Sequence, residues 1–192
     1  MGASSSKSLP SLNVVPECIT EKFMGPWFVI AVKPTIFETT NSNAVEIYSR
    51  SPKDYDIKVD FQYNKNEPIT SPLKRMTQKG WILGDKENSG SWQVSPGLGI
   101  KMPYPIIELD SENYQHVVVG NPGRSYFWIM SRTPTMNSDL LEDLKKKLVE
   151  KHQYDLDGMR MVPQKWTKAE RTKRNLDACI PDELLADSNE KN

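Results

Sequence analysis

The chain has 192 residues, with 25 Lys plus Arg against 25 Asp plus Glu, so its formal net charge is zero. That length accommodates one domain with a sizeable core and some tail, and the charge balance excludes the positive field of a general nucleic-acid binder. Two cysteines (Cys18 and Cys179), two histidines and no CxxC pair exclude a disulfide-stapled scaffold and a zinc site, and no apolar run approaches the roughly 18 residues of a membrane-spanning helix.

The first seven residues, Met1-Gly2-Ala3-Ser4-Ser5-Ser6-Lys7, are not followed by the apolar run of a secretory signal. They fit the N-myristoylation pattern, with Gly2 exposed once Met1 is removed and Ser6 at the required offset. The same residues also read as a plain Ser-rich tail. One myristoyl chain binds membranes only marginally, and a second signal is usually needed. Residues 1–16 show no periodicity and are expected to be a flexible tail.

From Phe23 onward, short apolar or alternating segments follow one another. Residues 25–32 (GPWFVIAV) are apolar on both parities, and residues 44–49 follow a polar Thr-Thr-Asn-Ser-Asn turn. Residues 55–63 alternate, with Tyr55, Ile57, Val59, Phe61 and Tyr63 on one face. Residues 75–83, 91–95, 104–109, 114–120 and 125–132 continue the series, separated by turn formers. The spacing predicts eight antiparallel strands in an all-β sandwich or barrel.

The pattern then changes. Residues 138–152 place Leu140, Leu141, Leu144 and Leu148 on one stripe, with acidic residues early and Lys145, Lys146, Lys147 and Lys151 late, as an amphipathic helix requires. A short last strand is expected at 159–162. Residues 167–192 read as a charged C-terminal extension with one apolar island, Ala178, Cys179, Ile180, Leu184 and Leu185. Lys165, Lys168, Arg171, Lys173 and Arg174 crowd together, opposed only by Glu170. They read either as an electrostatic contact to anionic lipid or as a solvated helix face. The first and eighth strands, apolar on both parities, must have covered outer faces. The helix is the obvious cover, and a closed barrel is the consistent architecture.

Gly25-Pro26-Trp27, following a lead-in that contains Phe23, resembles the Gly-x-Trp signature of lipocalins. Residues 126–134 (YFWIMSRTP) resemble the last-strand signature of one lipocalin branch. That branch holds the bacterial outer-membrane lipocalins, the plant temperature-induced lipocalins and apolipoprotein D. Residues 114–122 look like the same branch's seventh strand and turn, and residues 104–110 like its sixth. The resemblance spans residues 17–166. It implies an eight-stranded antiparallel up-and-down barrel with one C-terminal helix packed on its outside. It also implies that Gly25, Trp27 and Arg132 close the barrel, with the Arg132 guanidinium meeting the Trp27 indole. By parity Trp27 shares a face with Val29 and Ala31, and Arg132 with Tyr126, Trp128 and Met130.

An eight-stranded barrel holds one small ligand. Parity lines its interior with Ile57, Val59, Phe61, Trp92, Val94, Trp128 and Met130. The expected role is binding, storage or transport of a fatty acid or lysophospholipid at or near a membrane, with a stress context implied by the resemblance alone. The alternatives are a membrane-tethered scaffold with a packed barrel, or a lipocalin-type enzyme acting on a lipid or pigment. Cys18 precedes the first strand, and neither His116 nor His152 pairs with a nucleophile, so no enzyme, cofactor or metal is expected. The expected partners are the ligand and a membrane surface, with no nucleic acid, and a monomer or weak dimer. The expected place is the cytoplasm or the cytoplasmic face of a membrane, where Cys18 and Cys179 stay free thiols rather than bridging the lead-in to the tail. Glu46 and Glu108 sit among apolar neighbours and either point outward or meet a ligand or His116.

Overall fold

The computed structural model describes residues 9–35, 39–97 and 99–186. A short helix α1 (Thr20–Phe23) leads into eight strands: β1 (Gly25–Lys33), β2 (Asn41–Arg50), β3 (Ile57–Lys65), β4 (Leu73–Ile82), β5 (Ser91–Ser95), β6 (Met102–Leu109), β7 (His116–Val119) and β8 (Phe127–Ser131). Helix α2 (Ser138–Glu150), the two-residue β9 (Arg160–Met161), helix α3 (Lys168–Lys173) and a 3-10 turn (Asp182–Leu184) complete the order. Each strand from β2 to β8 pairs antiparallel with the next, and β1 pairs with both β8 and β2, so the sheet closes on itself. Closure removes the edges that an open sheet would expose.

The first strand departs from simple alternation. A bulge lies between Val29 and Ala31 in its pairing with β8. Trp27, Val29 and Val32 face the interior, whereas Ala31 lies outside with Phe127 and Ile129. The expectation that Ala31 shares the Trp27 face is therefore corrected: one extra residue flips the parity of everything beyond it.

The outer faces are covered twice. Leu141, Leu144 and Leu148 of α2 pack on Ala31, Ile107, Val118, Phe127 and Ile129. The Asn137 side chain caps this helix by accepting from the backbone of Asp139 and Leu140. The helix covers only part of β1, however. Phe28, Ile30 and Val45 are covered by Trp166, Leu176, Ile180 and Leu185 from the C-terminal segment. That segment was expected to be a charged extension; its apolar island is the second cover.

The C-terminal segment also fills a gap in the sheet. β1 and β2 pair from Gly25↔Tyr48 to Phe28↔Val45 and then part. β9 pairs with Ala31 and Val32 instead. The Gln164 side chain donates to the carbonyls of Val29 and Ala44, bridging the two separated strands. The Asn43 side chain clamps Lys165 by accepting from its N–H and donating to its carbonyl. Buried backbone groups that lose their ladder partner are thus satisfied elsewhere.

Two tail expectations are corrected. Residues 9–16, read as flexible, are docked: Val15 donates to the Ile106 carbonyl, Arg124 holds the Pro10 carbonyl, and Leu12 packs under α2. The basic cluster is not a five-charge surface. Arg171 and Arg174 are buried, Arg171 on Asp182 and the Ile180 carbonyl, Arg174 on Glu170, Asn64 and the Asn43 carbonyl. A buried guanidinium committed to internal carbonyls and carboxylates is not presented to a lipid headgroup.

Candidate functional site

The barrel has a closed end and an open end, and different residues make each. At the closed end Gly25 takes φ +93°, a conformation that side chains rarely adopt, and a Cβ added there would lie 3.5 Å from Arg132 Nη1. Pro26 and Trp27 follow. The Arg132 guanidinium sits 3.8 Å from the centre of the Trp27 ring and donates to the carbonyls of Lys22, Pro26 and Tyr114. Burial lowers the Arg132 pKa to about 10, which leaves it charged at neutral pH. Trp27 donates through Nε1 to the Phe23 carbonyl. Phe23 in turn meets Trp27, Tyr48 and Trp92 at 4.8–5.1 Å between ring centres, filling this end with aromatic rings.

The other end is open. A cleft of about 520 Å³, counting space continuous with solvent at its mouth, is lined by Thr35, Glu46, Met76, Gln78, Val94, Pro96, Met102, Tyr104 and Trp128. The walls are apolar. The deeper end is not: Glu46 points inward from β2 and accepts hydrogen bonds at Oε2 from Tyr48 and from Tyr104, the latter at 2.8 Å. The two phenol oxygens touch at 2.5 Å. All three residues are at least nine-tenths buried. Burial, and then the nearby Glu46 charge, raise the Tyr48 pKa well above its ordinary value.

The seven residues expected to line the ligand site divide by depth. Val94 and Trp128 line the cleft. Ile57, Val59, Trp92 and Met130 face the interior but lie in its packed core. Phe61 shares that core and borders a second, smaller gap beside Val29 and Val162. Parity gives the face of a strand and not the height along the barrel axis. Met76, Gln78, Met102 and Tyr104 were missed. The signal for them was present: the strand ends that flank the same loops must lie at the same end of an up-and-down barrel.

Glu46 and Glu108 part company. Glu108 faces outward, where Lys151 and His152 at the end of α2 donate to its Oε1 at 2.6 and 2.7 Å. Burial pushes its carboxyl upward, but these two hydrogen bonds outweigh it and hold the pKa at about 2. Neither cysteine is bridged: Cys18 is buried, with its thiol pushed by burial to about 12, and Cys179 is half-buried. Gly2 lies outside the described residues.

The family model of the lipocalin-like domain matches residues 20–164. The chain belongs to the lipocalin family.

Its lipocalin relatives include plant and bacterial members. Temperature-induced lipocalin-1 of Arabidopsis thaliana is 29% identical over 173 residues, covering 83% of this chain and 86% of the relative. The outer membrane lipoprotein Blc of Vibrio cholerae is 44% identical over 135 residues, covering 69% and 75%. Among solved structures, insecticyanin from the tobacco hornworm Manduca sexta superposes with a TM-score of 0.62 over 84% of this chain and 88% of that one. At 16% identity that likeness shows the lipocalin fold alone.

Proposed function

We propose that this lipocalin binds a single-chain lipid or similarly slender apolar molecule in the open cleft and stores or carries it at or near a membrane. The observation that carries this reading is the cleft itself: apolar walls from Met76, Val94, Met102 and Trp128, open at one end, with the hydrogen-bonded Glu46 and Tyr104 at its deep end. Each methylene removed from water there contributes about 0.8 kcal/mol, which gives micromolar binding for a medium chain. Fatty acids and lysophospholipids are the first candidates. No catalytic role is assigned to the barrel.

The names of two relatives support the setting. One is an outer membrane lipoprotein and the other is temperature-induced, in keeping with a membrane and a stress context. In this chain the tether would be a myristoyl group on Gly2, and the place the cytoplasm or a cytoplasmic membrane face.

The test is a titration of the full chain with the neutral fluorophore N-phenyl-1-naphthylamine. Saturable one-to-one binding that lysophospholipid displaces supports the reading. No binding by the probe means a closed barrel, and the scaffold alternative takes its place.

A further inference from the structure

The two ends of the barrel differ in charge. β1 starts at the closed end with Gly25 and Trp27, so the β3–β4, β5–β6 and β7–β8 loops lie at the open end. α1 and the β2–β3, β4–β5 and β6–β7 loops lie at the closed end. Around the open end stand Lys65, Lys74, Arg75, Lys101 and Lys165, all exposed. Lys165 belongs there because the Asn43 side chain donates to both its carbonyl and that of Pro68 in the β3–β4 loop. Among the described residues the exposed carboxylates on this side are Glu67, Asp157 and Asp155, and Asp155 is paired with Lys33. None of the five cations is in an ion pair among the described residues. At the closed end Arg50 is paired with Glu21 and Glu87, and Lys86 with Asp56. The exposed charges left over there are Glu17, Asp54, Asp85 and Glu112 against Lys22 and Lys53. A chain of zero net charge is thus polarised along its barrel axis, positive at the mouth.

The exposed apolar side chains follow the same axis. Leu9, Ile69 and Ile100 are 51%, 38% and 59% exposed, and all three are at the open end. Ile69 is in the β3–β4 loop and Ile100 in the β5–β6 loop. Leu9 precedes Pro10, whose carbonyl is held by Arg124 of the β7–β8 loop. From there the chain runs down the barrel, past Ile106 at Val15, to the closed-end loop at Cys18 and Asn88. Leu83 is the one large apolar residue exposed in a closed-end loop among the described residues. The apolar tips surround the cleft, whose lining residue Met76 directly follows Lys74 and Arg75.

We infer that the open end of the barrel is a docking face for bilayers that contain anionic lipid, which sets the mouth of the cleft against the headgroups. Unpaired cations attract an anionic surface, and single apolar tips between them enter the boundary below the headgroups. An acidic protein partner would call for one packed apolar centre, whereas these tips stand apart on three segments around an opening. The inference rests on the proposed membrane setting, but on neither the Gly2 acyl group nor an occupied cleft. Leu9 at the mouth means that a tether on Gly2 would act from the same end, supplying the second signal that one acyl chain needs.

The experiment is co-sedimentation of the full chain, carrying Gly2→Ala to remove any acyl group, with vesicles of phosphatidylcholine alone or with about one-third phosphatidylserine. The chain is expected to bind the mixed vesicles at least about tenfold tighter than the neutral ones, and to lose that advantage as salt rises. Lys65→Glu with Arg75→Glu should abolish the advantage, whereas Lys53→Glu at the closed end should change it less than about twofold. Orientation is read from a polarity-sensitive dye on Ile100→Cys or, as control, Leu83→Cys, each in a Cys179→Ser chain. A blue shift on mixed vesicles is expected at Ile100→Cys alone. Equal binding to both vesicles, an equal loss with Lys53→Glu, or a shift at Leu83→Cys overturns the inference. Binding to neither vesicle also overturns it, and makes an acidic protein the partner to seek for the rim. Titration with N-phenyl-1-naphthylamine in vesicle-free buffer separates the two readings: saturable binding there keeps the cleft as a ligand site whatever the vesicles show.

Discussion

Arg132 stacks its guanidinium 3.8 Å from the Trp27 ring centre while its N–H groups reach three carbonyls from two other segments. The residue therefore closes the barrel both as a cation over an aromatic face and as a donor fork. Arg132→Ala is expected to cost about 2–4 kcal/mol in urea unfolding, from the lost stacking plus carbonyls left without donors. Arg132→Lys restores the charge but not the planar fork, so it should recover less than half of the loss. A cost below about 1 kcal/mol for Arg132→Ala would put the closure energy elsewhere.

The C-terminal cover repeats this device on the outside. Arg174 lies 4.7 Å from the Trp166 ring centre and reaches β2 and β3 through Asn43 and Asn64. Trp166 packs edge-on against Phe28 at 5.7 Å between ring centres. Trp166→Ala is expected to destabilise by about 3–5 kcal/mol, the range for truncating a buried aromatic. Because the two side chains share one contact, a double-mutant cycle with Arg174→Ala should give a coupling of about 0.5–3 kcal/mol. Additive effects would show that the stacking contributes nothing.

These two aromatic–guanidinium pairs mark how far sequence reading reaches. Trp27 with Arg132 was legible, because Gly-x-Trp and the last-strand pattern are local signatures at known ends of the barrel. Trp166 with Arg174 was not. A dense run of Lys and Arg reads as solvated or lipid-facing, and nothing local says that Arg171 and Arg174 turn inward onto carbonyls and carboxylates. The eight strands and α2 were legible from period and turn residues. The parity flip at Ile30 was not, since a bulge leaves no mark in an all-apolar run. Glu46 was visible as an oddity among apolar neighbours, but one of its partners, Tyr104, comes from across the barrel.

Glu108 gives the chain an acid-sensitive joint between β6 and the end of α2. Its folded pKa is about 2 against an ordinary 4.5, so its contribution is complete above 4.5 and is lost as pH falls toward 2. The side chain is only 12% exposed, so solvent screens the pair weakly. A drop from 4.5 to about 2 corresponds to about 3 kcal/mol at neutral pH. The stability difference between the unaltered chain and Glu108→Gln, measured by urea unfolding, should be flat from pH 5 to 7 and shrink below about pH 4.5. A difference that holds constant down to pH 3 would contradict the assignment.

The division of the interior into a packed half and an open half predicts that stability and binding separate by height. Ile57 opens β3 at the closed end and is fully buried. Ile57→Ala should cost about 2–5 kcal/mol, since the aromatic plug around it cannot collapse into the space. It should leave affinity for N-phenyl-1-naphthylamine unchanged at temperatures where the variant is folded. Met76 sits half-buried on the cleft wall. Met76→Trp fills open space there instead of overpacking a core, so its stability should stay within about 1 kcal/mol of the parent. Its affinity should fall at least about tenfold, because the bulk occupies the path of the ligand. The opposite pattern, binding lost with Ile57→Ala and kept with Met76→Trp, would move the ligand site into the closed half of the barrel.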